Sequence, residues 1–118
     1  MPDPVSHSPS VLVDGTLLPI AAAAAYTAPS GAGTRGVRIR ALSLTTQTGA
    51  AEPVQLWKVE SGGARANANR RFNASIPSDG MSHLFFEGAI LDPGDAIHWV
   101  ATNASAVSGT LEGWVMTD

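Results

Sequence analysis

Leu91-Asp92-Pro93-Gly94-Asp95, running directly into Ala96-Ile97-His98-Trp99-Val100-Ala101, is the stretch that decides the fold. Pro93 presets φ near −65° and Gly94 tolerates positive φ, so the pentapeptide is turn chemistry. The flanking carboxylates, Asp92 and Asp95, are of the kind that accept backbone N–H bonds in such turns. The six residues that follow are β-branched, aromatic or small, as a half-buried strand requires. A turn feeds a strand here, and the same grammar recurs in both directions along the chain.

Downstream, residues 102–105 form a polar turn and residues 110–116 alternate. Leu111, Gly113 and Val115 share one face, with Glu112, Trp114 and Met116 on the other. Upstream, residues 89–91 read as a short strand, Glu87-Gly88 as a turn, 82–86 as a strand, 77–80 as a turn and 70–76 as a strand. Residues 64–69 are a loop behind the Ser61-Gly62-Gly63 break, and residues 53–59 are a strand. Residues 36–46 are the longest candidate. Val37, Ile39 and Ala41 lie on one face; Arg38, Arg40, Leu42 and Leu44 lie on the other. That second face turns from basic to apolar midway, as in a strand leaving an exposed edge to enter the core.

Residues 29–33 are a loop. Ala21 to Ala25 could be helical, since alanine is the best helix former. Pro19 and Pro29 leave room for too few turns, and a small-residue strand ending at Tyr26 is expected instead. Val11-Leu12-Val13, Asp14-Gly15 and Thr16-Leu17-Leu18 suggest a short hairpin on an Asp-Gly turn. Residues 1–10 carry Pro2, Pro4 and Pro9 and read as an extended arm. These readings give an all-β chain of about eight strands, with turns at the spacing of a sandwich. The expected architecture is a single antiparallel β-sandwich, jelly-roll-like, over residues 11–118, with an extended N-terminal arm over residues 1–10.

The chain has 118 residues, enough for one core. Only 14% of them are charged, against a usual quarter or so. Either neighbours cover part of the uncharged surface or the surface is simply rich in small residues. A net charge of −3 argues against nucleic-acid or anionic-membrane partners, and the absence of cysteine excludes disulfides and thiolate metal sites. The longest apolar run, residues 17–26, is too short to span a bilayer and contains a proline. The start lacks the basic region of a signal peptide, so synthesis in a cytoplasm is expected.

Chemistry-bearing patterns are sparse. His7, His83 and His98 have no metal-ligand spacing, and His98 lies on the strand face opposite Trp99. The short loop bearing Asp92 and Asp95 offers too few oxygens for calcium. No nucleophile motif or phosphate loop is present, and no cofactor is expected. Arg65, Arg70 and Arg71 cluster beside Phe72, but without interleaved aromatics they read as a solvated loop or a protein contact. Trp57, Trp99 and Trp114 are core by default, although any one could anchor an interface.

The order of motifs resembles a known class. Tyr26-Thr27-Ala28-Pro29 precedes a loop and the strand Val37-Arg38-Ile39-Arg40-Ala41-Leu42-Ser43-Leu44. Then follow Val54-Gln55-Leu56-Trp57-Lys58-Val59, a Ser-Gly-Gly turn, and Leu91-Asp92-Pro93-Gly94-Asp95. This is similar to the small β-sandwich virion structural proteins of tailed bacteriophages, which serve as capsid decoration or cement proteins and as neck or tail accessories. The resemblance implies a non-enzymatic structural protein located in the virion and lacking cofactors. The expected partners are the major capsid protein or other virion proteins, and further copies of the chain, with a trimer favoured. A neck, tail or fibre-type accessory is the alternative within the class, and a carbohydrate-binding β-sandwich module is the alternative outside it. Candidate interface residues are Pro2, Pro4 and Pro9 of the arm, Arg38 and Arg40 on the long strand, and Arg70 and Arg71.

Overall fold

Alternating side chains give a strand two faces, and two such sheets bury their apolar faces against each other. The computed structural model describes residues 9–118. Among them run nine strands: β1 (Ser10–Leu17), β2 (Ala23–Thr27), β3 (Thr34–Thr46), β4 (Glu52–Val59), β5 (Arg70–Ile76), β6 (His83–Phe85), β7 (Ile90–Leu91), β8 (Ala96–Ala101) and β9 (Val107–Thr117). One sheet has the order β1-β9-β3-β6, with β7 also on β3; the other has the order β2-β8-β4-β5. All pairings are antiparallel. The chain passes back and forth between the sheets, and the resulting order is that of a jelly roll.

The core lies between the sheets. Ile39, Leu42, Leu44 and Leu111 project from the first, and Leu56, Ile97 and Trp99 from the second. Each fully buried aliphatic side chain contributes about 1.5–3 kcal/mol relative to exposure. The Trp99 ring lies against Gly109 of the opposite sheet, so closely that a Cβ there would sit 2.6 Å from the ring. At the β5–β6 side the rings of Phe72 and Phe85 meet with centroids 4.6 Å apart, tying one sheet to the other.

The turn over residues 91–95 joins three parts of the sandwich. Gly94 sits at φ 87°, and a Cβ there would overlap Ser61. Its N–H donates to the Ala28 carbonyl at 3.0 Å, and the Ala28 N–H donates to the Asp95 carbonyl at 2.8 Å. The buried Asp95 carboxylate accepts the N–H of Ser61 at 3.0 Å and that of Asp92 at 3.1 Å. A second buried carboxylate, Glu52, accepts bonds from the Thr48 hydroxyl and the Asn103 amide, each at 2.8 Å.

Three local expectations are corrected. The Asp14-Gly15 pair does not close a hairpin; β1 runs through it and pairs with β9 along its length, shifting register twice. Gly15 takes φ 47° within this irregular stretch, and its N–H donates to the Thr110 hydroxyl at 3.0 Å. Three-residue hairpin arms would satisfy few backbone groups, whereas β9 offers an edge 11 residues long. Secondly, β3 does not pass from an exposed edge to the core, because it has β9 along one side and β7 and then β6 on the other. Its change of face comes from a β-bulge: Ile39 pairs with Gly113 but Ala41 with Glu112, so Arg40 is the extra residue. Val37 and Ile39 point inward before the bulge, and Leu42 and Leu44 after it. Thirdly, Ser10 already belongs to β1, opposite Gly113, so the sheet begins inside the span expected to be arm. Pro9 immediately precedes it; the rest of that arm, with Pro2 and Pro4, lies outside the described residues.

Candidate interaction surfaces

Residues paired across an antiparallel ladder share a face, so the register defines what each sheet shows to solvent. On the outer face of the β1-β9-β3-β6 sheet, Val11 and Ala41 flank Glu112, and Leu17 and Thr45 flank Ser108. Ser43 sits between Leu84 and Thr110, and Arg38 between Ile90 and Trp114. Val11, Leu17, Leu84 and Ile90 remain 40–56% exposed, and they are four of the seven large hydrophobic side chains exposed among the described residues.

Charges punctuate this face. The Arg40 guanidinium lies 3.6 Å from the Glu112 carboxylate, and Arg38 stands over the Trp114 ring at 5.8 Å. Both expected arginines therefore lie on one sheet face, each already in contact with a β9 side chain. Contacts at such exposure are worth only fractions of a kcal/mol, so they leave the face available for association.

The outer face of the β2-β8-β4-β5 sheet is different. Here Trp57 pairs with His98 and Val59 with Ala96, and Trp57, Val59 and Ala96 are all under 10% exposed. The segment 60–69 folds back toward this face, its Arg65 donating to His98 Nδ1 at 2.6 Å. An arginine only donates, so Nδ1 is the acceptor and the ring is neutral with its proton on Nε2. Burial first, and the Arg65 charge second, hold the His98 pKa below its ordinary value. Burial likewise raises the pKa of the Tyr26 hydroxyl.

Arg70 and Arg71 head β5. Arg70 pairs with Trp57 while Phe72 pairs with Leu56, which makes Arg71 the extra residue of a bulge. Arg70 donates to the Gln55 side chain at 3.1 Å and Arg71 to the Ala68 carbonyl at 3.3 Å. Beside them, Lys58, Glu60, Gly63, Ala68, Asn69 and Arg71 line a pocket of about 330 Å³. Asn69 holds the loop that forms its wall, accepting from the Ala66 N–H and donating to the Ala64 carbonyl, both at 2.9 Å.

The three tryptophans separate. Trp99 is core, Trp57 is buried on an outer face, and Trp114 is half-exposed on the other outer face. Among the described residues no three His, Asp or Glu side chains gather where they could hold a metal ion. His83 instead bonds Asp79 at 3.0 Å, and the Met81 N–H and His83 together lower the Asp79 pKa. Reading the sequence found the arginines but missed Val11, Leu17, Leu84 and Ile90, which become one surface only through the register of β9. The alternation of Ser108, Thr110, Glu112 and Trp114 was the available signal that this face meets solvent. No protein-family model, curated protein or solved structure matches this chain.

Proposed function

We propose that the protein is a non-enzymatic structural module whose work is association: with copies of itself, and with the exterior of a phage capsid that it decorates or cements. The observation that carries the associative part is the outer face of the β1-β9-β3-β6 sheet. Val11, Leu17, Leu84 and Ile90 supply apolar area there, and Arg40 beside Glu112 puts both signs of charge near its centre. A surface holding both signs side by side is complementary to a second copy of itself, so the occupant of this face is another copy of the chain. The capsid as the further partner is supported by the motif order, and by jelly rolls recurring among coat proteins. The latter is an analogy of fold, not of site. Once associated, the copies engage several lattice positions together, so each contact can be weak.

Light scattering on the purified protein tests self-association: this face meeting itself gives two chain masses, a head-to-tail ring gives the three that the resemblance favours, and Ile90→Glu reduces either species to one. Cryo-electron microscopy of the particle then locates the protein. A strict monomer with no density on the head refutes the proposal, and density at the neck or tail replaces decoration with the accessory role. A carbohydrate-binding module has less to draw on, because Trp57 and Trp99 are buried, Phe72 and Phe85 pack on the core, and the half-exposed Trp114 has Arg38 over its ring.

A further inference from the structure

The chain's cations are unevenly distributed. Lys58, Arg65, Arg70 and Arg71 are four of its seven, and Glu60 is the only carboxylate within residues 58–71. The rest of the chain then has three cations against nine carboxylates. The β4–β5 pairing brings Lys58, Arg70 and Arg71 to one corner, and the bulge at Arg71 turns its side chain out of alternation to meet Lys58 at the pocket. Among the described residues neither Lys58 nor Arg71 has an ion-pair partner. Among the described residues β5 is outermost in its sheet and pairs only with β4, so the pocket sits at the head of an open edge.

We propose that this corner docks an extended acidic segment of a partner protein. The segment's backbone adds to the free edge of β5 while one of its carboxylates enters the pocket between Lys58 and Arg71. This surface lies on the other sheet from the self-association face, and the inference goes beyond the function proposed above. Its chemistry selects a peptide. Lys58 and Arg71 offer only donors, which a carboxylate accepts, and Glu60 offers only acceptors, which a peptide N–H satisfies. A phosphodiester has no donor to bring to Glu60. No aromatic at the corner is free for a base to stack on, because Phe72 is against Phe85 and Trp57 is buried. A strand added to β5 gains main-chain hydrogen bonds, and the cations fix which strand is accepted.

The test is an NMR titration of the isotope-labelled full chain with a short peptide of alternating glutamate and threonine. A lysine–threonine peptide, inorganic phosphate and oligothymidylate serve as comparisons. Saturable shifts confined to residues 58–76 and to the acidic peptide are expected, with affinity falling as salt is added. Lys58→Ala with Arg71→Ala weakens binding roughly fivefold to tenfold, whereas Arg35→Ala on the other sheet leaves it unchanged. Three results would overturn the proposal. They are no saturation at millimolar peptide, unaltered affinity in a double variant with a wild-type spectrum elsewhere, and tighter binding of oligothymidylate than of the peptide.

Discussion

Replacing Asp95 by alanine removes the carboxylate that ties the 91–95 turn to the 61 turn. Its carboxylate is buried and accepts the Ser61 and Asp92 N–H groups at 3.0 and 3.1 Å. A hydrogen bond to a charged group contributes about 1.5–3 kcal/mol net, and losing the acceptor strands both donors. The Ser61 side is exposed, so water recovers part of the loss. The expected cost is about 3 kcal/mol, a large share of the roughly 5–15 kcal/mol that holds a domain. For a chain of this size that lowers Tm by about 12 °C. Asp95→Asn keeps one acceptor but aims an amide at the second donor, and falls near half the loss. Asp92→Ala is the control: its side chain is exposed, so the change stays within about 0.5 kcal/mol. Urea denaturation and hydrogen exchange read all three, with the Ser61 and Asp92 amides losing protection in the Asp95 variants. An Asp95→Ala protein within a few degrees of wild type, or an Asp95→Asn protein more stable than wild type, refutes this account of the turn.

Two further outcomes follow from the packing. Gly109→Ala places a methyl 2.6 Å from the Trp99 ring and 3.0 Å from Leu44, so the ring must move. Overpacking of this kind costs about 1–3 kcal/mol, and altered near-ultraviolet dichroism with unchanged strand content would report it. Because the His98 pKa lies below its unfolded value of about 6.5, the folded state binds fewer protons than the unfolded one. Wild type therefore loses stability as pH falls through about 6.5 toward the folded pKa, relative to His98→Gln. Urea midpoints of the two proteins compared near neutral and mildly acidic pH check the sign; a gap that stays constant would exclude His98 as the cause.

Short-range preference accounts for the local elements. The Pro93-Gly94 turn, the alternation of residues 110–116 and the strand at residues 96–101 are each set by preferences within a few residues. All three stand in the structure over about the expected spans. The strand over Ala23–Thr27 was legible for the same reason, since prolines on either side left too little length for a helix. The β-sandwich class followed from the rhythm of turns. Where local preference is indifferent, pairing between distant strands chose the outcome. Asp14-Gly15 suits a hairpin turn and an irregular strand equally, and the free edge of β9 settled the choice. The change of face in β3 needed a bulge opposite Glu112, because a strand reverses its alternation only where a partner strand skips a residue. The association face and the basic corner belong to this second kind. Val11, Ile90 and Leu84 are far apart in the chain and meet through β9 and β3. Lys58 reaches Arg71 through the β4–β5 pairing, a long-range contact whose register no short stretch of sequence encodes.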